Sequence, residues 1–269
     1  MSIRTSSTPT APITPVAPSG PMLWHQLQAE LLRLWRTPSF LVPTLILPLV
    51  LYTLLGGLGK AQGLEDGVSR QIYALASVST YSIIGVMLYS FGVNIASERA
   101  QRVNVLMRAT PLPAQIYLLA KVMTALLSAL VMLLILSSFA IVVGGVQLSV
   151  NAWITLLASL VLGVLPFTLL GFAIGNMVSP TGATPVINLS FFILAFASGV
   201  FVPLSQLPDA LQNIAPYSPF YRLGQLAWNA VGVQTGSISE AIGLLALYAL
   251  VFFALALYAF RREEQQTFG

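Results

Sequence analysis

The most informative polar piece of the chain is the segment Glu98-Arg-Ala-Gln-Arg-Val-Asn-Val-Leu-Met-Arg-Ala-Thr-Pro-Leu-Pro113, which holds Glu98, Arg99, Arg102 and Arg108. Glu98 at its start and Arg108 towards its end carry the signs a helix dipole favours at those ends, and Thr110-Pro111 reads as the stop. One carboxylate among three guanidinium groups is not an acid-base pair, because no second carboxylate or histidine stands nearby to relay a proton. The segment suits electrostatic docking of a soluble partner. The plainer alternative is a solvated loop whose arginines only set topology.

Other chemistries lack their residues. Lys60 follows Gly59, but a phosphate-cradling loop needs glycine at 54 and Ser or Thr at 61, where the chain has Leu54 and Ala61. Lys121, the other lysine, follows Ala120. Any ATP hydrolysis is therefore expected on a partner chain. There is no cysteine, and the single histidine, His25, has no companions, so no metal site, no catalytic residue and no cofactor on this chain are expected.

The elements that must position the charged segment are membrane helices. From Val122 to Pro208, 87 residues contain no Asp, Glu, Lys or Arg. The whole chain is 57% hydrophobic and 7% charged with mean hydropathy +0.85, against about 25% charged in a soluble domain. A charge at a bilayer centre costs ~2.5–3.5 kcal/mol on insertion scales, which explains its exclusion.

At ~20 apolar residues per crossing the chain holds about six spans. They read as Phe40–Leu58, Ile72–Ala96, Lys121–Val143, Trp153–Asn176, Ala183–Val202 and Ala241–Phe260, the last stopped by Arg261-Arg262. Gly171 and Gly175 permit close helix approach within one subunit. No charged station is expected inside the spans, which argues against an ion-coupled carrier.

Residues 1–21, rich in Ser, Thr and Pro, read as a disordered tail, and residues 22–37 as an interfacial helix. Leu23, Trp24, Leu27, Leu31, Leu34 and Trp35 share an apolar arc, with His25, Gln26, Glu30, Arg33 and Arg36 off it. Trp24, Glu30, Arg33 and Arg36 suit the headgroup layer of a membrane surface.

Residues 38–262 read as the six-span membrane domain. Within it, 203–236 is broken by Pro203, Pro208, Pro216 and Pro219. Ser218-Pro219 reads as a helix start and Gly232 as its stop, giving roughly 13 residues and ~20 Å. That is too short for ~30 Å of hydrocarbon, so two short re-entrant helices precede the last span. Residues 263–269 read as a C-terminal tail. The expected fold is an all-α membrane protein: six transmembrane helices, an interfacial helix, a cytoplasmic helix in 98–113 and the re-entrant pair.

With six spans, nine of the 12 basic residues share a side with the termini; Lys60, Arg70 and Arg222 lie opposite. The termini are thus expected in the cytoplasm, in a plasma (inner) membrane. The net charge of +4 is topological, and no nucleic acid partner is implied.

Three blocks resemble the type-2 ABC transporter permease family. Glu98-Arg99 with Arg108-Ala-Thr-Pro-Leu-Pro113 is similar to its coupling segment. Ser198-Gly-Val-Phe-Val-Pro203 with Leu207-Pro208, and Ala215-Pro-Tyr-Ser-Pro-Phe220, are similar to its motifs after the fifth span. The resemblance runs from about Trp24 to Arg262, and it departs at Arg102, where many members have glycine.

It implies an exporter's membrane subunit with a coupling helix at Glu98–Pro111, through Glu98, Arg99, Arg102, Arg108, Thr110 and Pro111. Two copies of a separate ABC ATPase would carry ATP and magnesium. A second permease, in a homodimer or heterodimer, would meet this one through the first, second and fifth spans, and the re-entrant helices would cap the path from outside. Tyr73, Tyr81 and Tyr89, with an uncharged interior, favour an amphipathic, lipid-linked or hydrophobic drug-like cargo. An ATP-independent channel or carrier, or a membrane scaffold recruiting a soluble protein, remain the alternatives.

The chain is free of cysteine, so a Gln101→Cys variant reports topology directly. An impermeant maleimide is expected to label it in inverted vesicles and not in intact cells; labelling from outside would invert the orientation.

Overall fold

Long runs of Leu, Val, Ile and Ala leave the backbone one way to pair its own polar groups away from water. Every described element of the computed structural model is helical. The structure describes residues 19–36, 38–57, 68–101, 103 and 113–268, those at 38–43, 114 and 263–268 as backbone only.

Helix α1 spans Ser19–Trp35 and α2 Pro38–Gly56. Helix α3, Arg70–Leu88, passes through a π turn, Tyr89–Val93, into α4, Asn94–Ala100. Then come α5 (Ala114–Val142), α6 (Val150–Met177) and α7 (Pro180–Ala197). Two short helices, α8 (Asp209–Ile214) and α9 (Pro219–Ala230), each preceded by a 3-10 turn, lead to α10 (Ile238–Phe268).

Serines mark several helix starts. Ser69, Ser149, Ser179 and Ser218 each accept a hydrogen bond from a first-turn backbone N–H, and Pro180 and Pro219 occupy the opening positions. Helix α9 begins and ends as its sequence predicts, with Gly232 at φ +97° after it. Every residue from Phe220 to Trp228 is buried. Other parts of the chain thus enclose this short helix.

Among the described residues, five helices are long and apolar enough to cross a membrane: Arg70–Ala100, Gln115–Val142, Val150–Met177, Pro180–Ala197 and Ile238–Arg262. The first expected span corresponds to α2, whose described side chains begin at Thr44. The α3–α4 rod is the centre of the bundle, 89% buried, while α7 and α10 are 22% and 17% buried. This corrects one expectation: the second span is enclosed by its own chain and offers little surface to a second permease.

Two boundaries also move. Helix α1 starts at Ser19, inside the expected tail, because a proline at position 21 is tolerated in a first turn; residues 1–18 lie outside the described residues. Helix α10 continues past Arg261-Arg262 to Phe268, replacing the expected tail. The residues Arg-Arg-Glu-Glu-Gln-Gln are good helix formers, so charge ends the apolar run without ending the helix.

Backbones approach closely where α6 crosses the central rod. A Cβ added at Gly171 would lie 3.0 Å from the Met87 carbonyl oxygen, and one at Gly175 would lie 2.7 Å from that of Phe91. The glycine spacing therefore packs helices within one chain, as the sequence predicts. Gly243 on α10, by contrast, has nothing within 4 Å of an added Cβ. Gly175→Ala is expected to destabilise the protein by about 1–3 kcal/mol through overpacking. Gly243→Ala is expected to be neutral or stabilising by up to about 1 kcal/mol through helix propensity. Thermal unfolding of the two variants in detergent would check the contrast.

Candidate functional site

The last turn of α4 brings Glu98 to the point where α1 and α5 converge. Glu98 is 2% exposed. Its Oε1 accepts from Lys121 Nζ at 2.6 Å and from the Arg33 guanidinium, and its Oε2 accepts from the Tyr117 hydroxyl. Lys121 Nζ also donates to Glu30 Oε1 at 3.3 Å and lies 5.0 Å from the Tyr117 ring centroid.

Local sequence explains the convergence. Glu30 and Arg33 are three apart on α1, and Tyr117 and Lys121 four apart on α5, so each pair shares a helix face. Two carboxylates and two cations balance. Desolvation costs several kcal/mol per buried ion, so such a group persists only when its partners are all in place.

Arg99, the next residue, turns the other way. Its Nη1 donates to the carbonyl oxygens of Gly175 at 2.9 Å and Val178 at 3.3 Å. These carbonyls lie at the C-terminal end of α6, where a cation complements the helix dipole. The dipeptide Glu98-Arg99 therefore fastens α4 to α1, α5 and α6 together.

The structure brings together only some of the residues singled out from sequence. Glu30 and Arg33 join Glu98, whereas Trp24 is 58% exposed and Arg36, just after the end of α1, is exposed. Glu98 lies buried at the end of α4 instead of opening a separate exposed helix. Arg102, Arg108, Thr110 and Pro111 lie outside the described residues. Pro203 and Pro208 precede the first 3-10 turn and α8, Pro216 lies in the second 3-10 turn, and Pro219 opens α9.

Of the three tyrosines, two share a cavity. A cleft of about 190 Å³ is lined by Thr44, Leu47 and Pro48 of α2, Tyr81, Ser82 and Tyr89 on the central rod, and Phe191 and Phe192 of α7. No charged side chain lines it. Tyr81 stacks on Phe191 with ring centroids 4.5 Å apart. Tyr73 does not reach this cleft. Its hydroxyl donates to the Gly199 carbonyl at 2.8 Å and its ring stacks on Trp228, so it is a structural tie to the segment after α7.

These features, a bundle of apolar rods with a buried ionic cluster and an uncharged aromatic cleft, agree with the comparisons. Residues 64–258 match the model of the ABC-2 family transporter proteins, well over half of the chain. The chain belongs to this family. It is also 27% identical over 243 residues to YvfS of Bacillus subtilis (strain 168), a protein whose name describes it as a transport permease; the match covers 90% of this chain and 98% of the relative. The protein is thus a multi-pass membrane permease subunit of an ABC transporter, with an ABC ATPase subunit as partner.

Sequence reasoning singled out Glu30, Arg33 and Glu98 but not their convergence, and it missed two members of this permease's ionic cluster: Lys121 counted as a topology charge and Tyr117 drew no notice. Glu98 and Lys121 both lie buried, Glu98 two residues beyond the expected end of the second span and Lys121 at the expected start of the third, each in a helix long and apolar enough to cross a membrane. The usable signal was the i, i+4 pair Tyr117/Lys121 at the start of an otherwise apolar helix.

Glu98→Gln leaves Lys121 short of its closest partner and is expected to cost about 3–5 kcal/mol. Arg33→Ala is expected to cost under about 1 kcal/mol, since its side chain is 44% exposed. Combining Glu98→Gln with Lys121→Met is expected to recover most of the loss. Unfolding midpoints for the native chain, Glu98→Gln, Lys121→Met and the double variant form a double-mutant cycle that reads the coupling.

Proposed function

We propose that this chain is the permease half of an ATP-driven exporter of the plasma (inner) membrane, moving an amphipathic, lipid-linked or hydrophobic substrate. The observation that carries the reading is the Glu98 cluster. It stands where α4 leads into segment 98–113, and it ties that segment's root to α1 and α5. A push on the segment is therefore delivered to three helices at once.

On this reading there are six spans, α2 being the first, and the Glu98 end with both termini faces the cytoplasm. The nine-to-three basic asymmetry supports that orientation. Two ATPase copies carry ATP and magnesium and dock on segment 98–113. The outer face of α1, with Trp24 58% and Trp35 80% exposed, lies in the headgroup layer. A second permease, identical or not, meets this one through α2 and α7, since the central rod is enclosed. The cleft at Tyr81 and Tyr89 belongs to the cargo path, its uncharged lining favouring apolar groups. The short helices α8 and α9 cap that path from outside.

Reconstitution with the partner ATPase tests this. Hydrolysis is expected to rise with substrate, and Arg102→Glu with Arg108→Glu is expected to weaken ATPase copurification at least tenfold without loss of membrane insertion. Flux that persists without ATP would favour a channel or carrier, and unchanged copurification would move the docking site elsewhere.

A further inference from the structure

We propose that the π turn Tyr89–Val93 is the hinge through which movement at the Glu98 end reaches the cleft. The inference rests on the permease reading above, in which work enters at segment 98–113.

The turn lies between two parts of one rod with opposite attachments. Below it, α4 is fixed by Glu98 to α1 and α5 and by Arg99 to the end of α6. Above it, Tyr81 and Ser82 face the cleft, and Tyr89 stands at the junction. The Asn94 N–H bonds to the Tyr89 carbonyl, five residues back, so this turn holds one residue more than an α-helical turn. Moving that extra residue along the rod, or absorbing it, rotates whatever it passes by about 100°.

The neighbours suit such a movement. Gly171 and Gly175 present bare backbone to the turn: a Cβ added at Gly175 would meet the Phe91 and Gly92 carbonyl oxygens, and one at Gly171 the Phe91 Cβ and the Gly92 nitrogen. On the opposite side, Ile187 of α7 sits where a Cβ at Gly92 would lie, 2.2 Å from its Cδ1. Helix α7 carries Phe191, so a change in the turn shifts both aromatic walls of the cleft. A wide turn with poorer hydrogen bonding, placed between a rigid charged end and a ligand-sized cleft, is what a two-state coupling element requires.

Ser90 is the small, half-buried member of the turn. Deleting it restores a plain α-helix while leaving both flanking faces in register. In the reconstituted complex, the deletion is expected to retain ATPase binding and basal hydrolysis and to lower substrate-stimulated transport at least tenfold. Transport within twofold of the native complex would overturn the hinge and leave the permease reading intact. A native complex without any substrate-stimulated hydrolysis would sink the permease reading itself.

Hydrogen exchange on the unaltered complex decides the matter even if the deletion fails to insert. Trapping with ATP and vanadate is expected to change exchange at amides 89–94 at least tenfold and at 74–86 less than twofold. An equal response of the two stretches, or none, would refute the hinge.

Discussion

A carboxylate almost sealed from solvent at the end of a membrane helix is the constraint on which the other features depend. Glu98 is tolerable there only because Lys121, Arg33 and Tyr117 converge on its two oxygens, and Lys121 in turn only because Glu30 shares it. These partners come from two separate stretches of chain, α1 and α5. The cluster therefore does what apolar packing alone cannot do between greasy helices, since lipid solvates leucine as well as leucine does. Charge pairing fixes one register of α1, α4 and α5 and penalises the rest.

The opposite end of the bundle is fixed by a second polar set. Arg222 on α9 is buried, donates to Gln225 Oε1 at 2.9 Å and pairs with Glu240 at 2.6 Å; Gln225 donates to the Thr235 carbonyl at 2.8 Å. Trp228 of the same helix donates to Ser77 Oγ at 2.9 Å, reaching the central rod. Leu223 fills the notch left by Gly163 on α6, where an added Cβ would lie 2.3 Å from it. The short helix is thus held to α3, α6 and α10 together, and the central rod is anchored near both ends.

How much of this was legible in the sequence follows from the kind of signal each feature leaves. The start of α9 was readable because a serine followed by proline acts locally, as at Ser218-Pro219; the same pair at Ser179-Pro180 opens α7 three residues before the expected span. Spans were readable because exclusion of charge is a property of a whole segment. The ion cluster was not, because Glu30, Glu98 and Lys121 are brought together only by tertiary packing, and each alone resembles an ordinary flanking charge. The end of α10 was misread because a basic pair marks where lipid stops, which differs from where a helix stops. Tyr73 and Tyr81 are eight residues apart on the same helix with identical side chains. Only their neighbours, Trp228 in one case and the open cleft in the other, separate a tie from a lining residue.

The contrast between rigid ends and a compliant middle follows from these chemistries. Buried ion pairs and hydrogen bonds are directional, so displacing Glu98 or Arg222 by an ångström forfeits much of their pairing. Contacts of the π turn with Gly171 and Gly175 are van der Waals contacts between backbones, each worth ~0.1–0.2 kcal/mol per atom pair and nearly indifferent to small rotations. Strain imposed on the rod from either end therefore collects where restoring forces are weakest. In this chain that place lies beside the tyrosine cleft.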